Sequence, residues 1–263
     1  MPRTAARRVP LRQPRVAEMV ADVLRQRIVG GELAEGSELP KQEELLEEFG
    51  VSRPSLRESL RILETEGLIT VRRGNVGGAT VHLAQTSTAA YMLGLVLQSE
   101  QVVLADLGAS LRFLEPVGGA LCAGREDRHE AVVPTLRAIN ARASEVVDEE
   151  LELLAVGRRF HEALIELCGN KTIILVVGTL ESLWSSHEQA WAQQADVHAL
   201  PDAGCRRAGH RAHERIVDLI ERGEVDEVAK AVRKHVEGAQ AFALDGDGKR
   251  PINASLLKRP QLR

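Results

Sequence analysis

The stretch that most constrains the fold is GVSRPSLRESLRILETEGLITVRRGNVGGATV, residues 50–81. Its periodicity changes partway. Leu56, Leu60 and Leu63 recur at the spacing of one helix face, whereas ITV and ATV alternate as short strands. Ser52 is placed to cap the helix, and Pro54 is tolerated in a first turn whose amides lack intrahelical partners. Gly67 ends the helix, and the glycines of RRGNVGG permit a tight tip. Arg53, Arg57 and Arg61 fall on a face away from the leucines. A basic helix followed by a basic ribbon is suited to reading duplex DNA. A solvated charged helix beside an ordinary hairpin explains the segment equally well when it is taken alone.

The upstream sequence decides between these readings. Residues 16–29 carry Val16, Met19, Val20, Val23, Leu24 and Ile28 as one apolar stripe, and residues 42–49 offer Leu45, Leu46 and Phe49. Helices this short must share a core, with the ribbon as a flap. Helix, helix, tight turn, helix, ribbon is a winged helix-turn-helix.

The 263 residues suit two modest domains. Aromatics make up only 3%, so Leu, Val and Ala do the packing, and the composition leans helical. The net charge of -4 excludes a generally basic nucleic-acid binder and confines any DNA contact to a small face. Residues 1–14, with three prolines and a cluster of arginines, read as a flexible basic arm. Cys122, Cys168 and Cys205 lack metal or redox spacing and read as buried free thiols. No signal peptide or membrane-spanning run is present, so a cytoplasmic protein is expected.

Within 15–83, ELPKQEELLEEFGVSRPSLRESLRILETEGLI is similar to the signature of the GntR family of bacterial transcription regulators. The resemblance implies that Ser52, Arg53, Ser55 and Arg57 touch phosphates and base edges. It also implies that Lys41 and Gln42 approach the duplex from the second helix, and that Arg72, Arg73 and Gly74 of the wing lie along the minor groove. An Arg fork can pair bidentately with guanine. One departure stands out: Glu43 replaces an arginine that is usual in the family, and an acid there would repel phosphate.

Beyond a polar link at 84–88, residues 89–244 show helical periodicity without strand alternation, in segments near 89–98, 101–123, 127–143, 149–168, 171–192, 206–222 and 225–243. The tail 245–263 reads as mobile. The expected fold class is mostly α, a winged helix-turn-helix followed by an all-helical bundle. His161, His213 and His235 each lie in an apolar stripe of a different helix. Separately they read as hydrogen-bonded core histidines; together they could converge on a divalent metal such as zinc or nickel.

The order RRFHEALIELCGN, HERIVDLIERGE, AVRKH resembles the FCD effector domain of the FadR-type branch of the same family. That resemblance implies an Asp and three His as metal ligands. His161, His213 and His235 match, but Gly157 stands at the Asp position. Either a metal is held with water or an effector carboxylate in the vacancy, or the histidines bond an effector directly. The resemblance further implies that Arg112 and Asn170 line or support the effector cavity, with Glu115 or a ligand carboxylate balancing Arg112.

The function expected is a ligand-responsive regulator, a repressor with an activator as the alternative, binding a palindromic operator as a homodimer. Its effector would be a small organic acid such as a fatty acid or its thioester. Two other classes stay open: a metal-dependent enzyme using the histidines, and a helical scaffold whose first domain binds protein.

Overall fold

The computed structural model describes residues 16–72, 78–83, 86–194, 201–244 and 248–257. The chain divides into two compact units, residues 1–85 with 260–263, and residues 86–259.

In the first unit, α1 (Val16–Val29), α2 (Gln42–Phe49) and α3 (Arg53–Thr65) are followed by β1 (Ile69–Arg72) and β2 (Gly78–Val81). The fully buried Leu24, Ile28, Leu45, Leu56, Leu63, Ile69 and Val81 form one core. Ser52 caps α3 as expected, its Oγ accepting from the Ser55 amide. Gly50 closes α2 in the left-handed region at φ 61°, which frees the chain to turn sharply into α3. The strands pair antiparallel, Ile69 opposite Val81 and Arg72 opposite Gly78. The preceding GSELP segment, which reads as a broken loop, lies along the outer edge of β2. Its Leu39 amide donates to Ala79 O, and the Val81 amide donates to Ser37 O. The wing edge is therefore covered rather than open.

The second unit contains α4 (Thr86–Ser99), α5 (Leu104–Gly124), α6 (Arg128–Ala131), α7 (Val133–Glu145), α8 (Glu150–Glu166), α9 (Lys171–Gln194), α10 (Ala203–Arg222) and α11 (Val225–Leu244). The helix expected over 127–143 is broken in two. Val132 is the turn between the two helices, at φ -114°, and Pro134, which lacks an amide to donate, sits in the first turn of α7. Thr86–Thr88 belong to α4 rather than to a link.

α5 packs against α8, α9, α10 and α11. Gly118 and Gly119 permit this: a Cβ at either would stand 2.4 Å from Ile165 Cδ1 of α8 or 2.9 Å from Val232 Cγ2 of α11. The main core joins Cys122, Leu136, Phe160, Leu164, Val217, Ile220 and Val232. A second core joins Leu104, Leu111, Ile165, Leu183 and Ile252. Ile252 corrects the expectation of a mobile tail. Residues 248–257 are laid against the bundle, with the Ile252 amide donating to Val102 O and the Asn253 amide to His187 Nε2. Their Ile252, Ala254 and Leu257 are buried because the end of α4 and α9 leave an apolar seat for them. Cys205 is a second correction. Cys122 and Cys168 are buried, but Cys205 is exposed in the first turn of α10, where no neighbouring helix covers it.

Candidate functional site

α3 turns its leucines inward, which leaves Arg53, Arg57 and Arg61 exposed on the other face. Ser52 Oγ stands 2.9 Å from Ser55 Oγ, so both hydroxyls gather at the helix start, where the amides favour an anion. Lys41 is exposed just before α2, and its amide donates to Glu44 Oε2 at 3.0 Å; Gln42 is half-buried. Glu43 Oε1 lies 3.8 Å from Arg53 Nη2, and Glu38 Oε1 lies 3.7 Å from Arg72 Nη1. Two of the arginines expected at DNA therefore face a carboxylate in the free protein. These pairs are largely in water and contribute only about 0–1 kcal/mol each, so a phosphate can replace the carboxylate. Arg73 and Gly74 lie outside the described residues.

In the second unit, α8, α10 and α11 bring His161, His213 and His235 together. Their ligand atoms lie within 4.8 Å of one another. His235 Nε2 is 2.8 Å from His213 Nε2 and 3.2 Å from His161 Nε2. The rings are held firmly. Phe160 stacks on His213 with centroids 3.9 Å apart, and His161 Nδ1 hydrogen-bonds the buried Glu115 of α5. Burial alone would lower His161, but the charge and hydrogen bond of Glu115 outweigh it and raise the imidazole. With Nδ1 turned to Glu115, Nε2 faces the other imidazoles. Burial and its imidazole neighbours hold His213 well below the usual range. The same two causes push His235 down to about 3. His213 and His235 are thus neutral, the form in which imidazole binds a metal.

Gly157 lies one turn before His161, on the same face of α8. A Cβ there would stand 4.0 Å from His213 Cε1, so the glycine borders the imidazole centre and leaves space beside it. The centre opens into a cavity of about 900 Å³ lined in part by Leu153, Arg158, Glu181, Trp184, His210 and Gln240. Arg158 pairs with Glu188 at 3.2 Å.

Arg112 and Asn170 do not reach this cavity. Arg112 is half-buried on α5 and absent from the lining, and Glu115 serves His161 rather than Arg112. Asn170 caps α9, its Oδ1 accepting from the Thr172 and Ile173 amides. Sequence reasoning missed Glu181, Trp184, Ser185 and Glu188. Their spacing of three, four and seven marks one face of α9, an acidic and aromatic stripe on an otherwise apolar helix. His210 lies three residues before His213, close enough on α10 to have been paired with it.

A winged helix with a basic recognition face, joined to a helical domain with a lined cavity, defines a transcription regulator with separate reading and sensing parts. The model of the bacterial regulatory proteins of the gntR family matches residues 16–79, and that of the FCD domain matches residues 106–238. The chain belongs to the GntR family and carries an FCD domain. It is 27% identical over 241 residues to the HTH-type transcriptional repressor NanR of Enterobacter sp. (strain 638), covering 89% of this chain and 88% of that protein. It is 26% identical over 238 residues to the protein of that name from Escherichia coli (strain K12), covering 88% and 86%. A Streptococcus agalactiae GntR structure has the same fold, with a TM-score of 0.67 and 21% identity over 86% of this chain and 99% of that one.

Members of this family are transcription regulators and not enzymes, which removes the metal-enzyme alternative. Glu162, which follows His161 in sequence, lies near Arg159 at 3.7 Å. GntR regulators bind operator DNA and FCD domains take small-molecule effectors. Among the described residues, no helix is long and apolar enough to cross a membrane.

Proposed function

We propose that this chain is a repressor that binds a palindromic operator as a homodimer and is modulated by a small organic acid held in the cavity of its helical domain. The carrying observation is the convergence of three imidazole Nε2 atoms on that cavity. Three lone pairs at this separation suit a Lewis acid better than one another, since a proton on one Nε2 serves only one neighbour. Zinc–imidazole bonds of about 2.0–2.1 Å place tetrahedral nitrogens roughly 3.3 Å apart, and His235 Nε2 lies 2.8 and 3.2 Å from the other two. His161, His213 and His235 would hold the ion, with Glu115 fixing the first of them. A bound zinc or nickel ion would offer an effector carboxylate the position that Gly157 leaves open. A twofold dimer would let two short recognition helices read one inverted repeat. A coupling of about 1–3 kcal/mol between effector and operator would suffice for regulation.

Ser52, Arg53, Ser55 and Arg57, together with Lys41, Gln42, Arg72, Arg73 and Gly74, are the proposed DNA-contacting residues. Selection of binding sites from random duplex DNA tests the operator reading. Recovery of an inverted repeat supports it, and a solitary unrepeated motif argues against the dimer. Calorimetric titration of metal-stripped protein with zinc tests the centre, and absence of heat at micromolar metal ends the metal reading.

A further inference from the structure

α4 and the segment 248–257 both lie outside the matched residues 16–79 and 106–238, and they pack against each other. The segment does more than fill an apolar seat. α5 has no side-chain cap, and its first amides, those of Leu104 and Ala105, donate to Arg250 O at 2.9 Å and Gly248 O at 3.0 Å. The Ala254 amide donates to Gln98 Oε1 of α4 at 3.0 Å, and the Asn253 amide to His187 Nε2 of α9 at 2.9 Å. One segment thereby clasps α4, α5 and α9 together.

Among these acceptors His187 differs in kind, because the others are carbonyl and carboxamide oxygens that do not titrate. Its ring is 5% exposed and, unlike those of Trp184, Ser185 and Glu188, its side chain does not line the cavity. Nδ1 lies 2.8 Å from Leu183 O, which can only accept. Nδ1 therefore carries the proton, and Nε2 offers its lone pair to Asn253.

From this geometry we infer that residues 248–257 are a proton-released clasp, latched by neutral His187 and opened when that ring takes up a second proton. An imidazolium has no lone pair for Asn253 and sets its own N–H against the amide N–H, two donors face to face in a buried place. Release strips Leu104 and Ala105 of their acceptors and bares the seat of Ile252 and Leu257. The charges around the ring do not favour the proton while the clasp is shut. α4 carries no charged residue, and Tyr91 is its only titratable one. The segment brings Lys249 and Arg250. α5 brings Asp106, Arg112 and Glu115, of which Glu115 is turned to His161, and Glu188 on α9 is paired with Arg158. Burial holds His187 below the usual imidazole range; the Leu183 carbonyl opposes this, and the charge of Arg250 adds to it. A released ring returns to about 6.5, so the open form takes the proton first. The clasp is at full strength above that value and weakens as the pH falls below it.

Hydrogen exchange of the full chain, read by mass spectrometry as protection relative to the unstructured rate at each pH, tests the clasp at about pH 7.5 and about pH 5.5, either side of the ordinary imidazole value. Peptides covering 104–105 and 252–257 are expected to lose about tenfold in protection at the lower pH, the order of one lost buried hydrogen bond, beyond any loss in α7, which holds no histidine. His187→Gln supplies a non-titrating acceptor near the place of Nε2 and leaves His161, His213 and His235 as they are. In this variant the difference between the two pH values should vanish, whether the segment stays seated or is loose at both. A loss as large in the variant as in the unaltered chain overturns the latch, as does a loss in the unaltered chain no greater than that of α7. Should the variant not fold, the ring of the unaltered chain decides, through magnetic resonance of isotope-labelled histidine. His187 must protonate over the range in which the segment loses protection, and a ring that stays neutral throughout that loss overturns the inference.

Discussion

The two units handle charge in opposite ways. On the winged helix, Arg53 and Arg72 meet Glu43 and Glu38 at 3.8 and 3.7 Å, with every partner more than half exposed. In the helical domain, His161 meets a Glu115 that is almost wholly buried, and Arg158 meets Glu188 with side chains 19% and 16% exposed. Water screens the first kind of pair, so its members exchange partners at little cost. Burial fixes the second kind, because a lone charge there would be strongly destabilising. A surface that must release one anion and take another suits the first arrangement. A centre that must hold three rings in register suits the second.

The largest effect should come from breaking the buried side. His213→Ala removes one of the three imidazoles and should abolish zinc binding measurable by calorimetry; retained micromolar affinity would mean that the three rings are only a core cluster. Phe160→Ala removes the ring stacked on His213 and should cost about 3–5 kcal/mol in chemical denaturation of the helical domain. The exposed side should respond less. Arg57→Ala should weaken operator binding by about 1–3 kcal/mol per half-site in a mobility shift, with circular dichroism unchanged. Gly157→Asp places a carboxylate beside His213 and should tighten zinc by about tenfold, and no gain would show that the vacancy is not a ligand position. Glu43→Arg should give the smallest change, about 1 kcal/mol tighter binding with a steeper salt dependence. Weaker binding would instead make the Glu43–Arg53 pair an aid to positioning.

Much of the fold was legible because period and punctuation agree. Leu56 and Leu63, Ser52 and Gly67 define α3 and its ends without reference to any distant residue. The histidine centre was legible as three separate stripes, since each ring lies among its helix's apolar residues. Its surroundings were not. Glu115 reads as a partner for Arg112 from sequence, and only the packing of α5 against α8 gives it to His161. The family resemblance implies that Asn170 lines or supports the cavity, whereas its Oδ1 caps the start of α9. Gln240 carries no motif at all, because its place in the cavity lining depends on how α11 packs against the other helices. The tail was misread for a related reason: its Gly, Pro and basic residues mask Ile252 and Leu257, whose burial depends on a seat made by distant helices.

That seat also bears on how the chain is made. The winged helix draws its core from residues made before those of the helical domain, and it can fold while that domain is still being translated. The helical domain cannot close its second core until Ile252 and Leu257, which follow α11 in the chain, have been made. During synthesis, a DNA-reading head can therefore be complete while the core of the sensor is still open, until the residues that follow α11 are made.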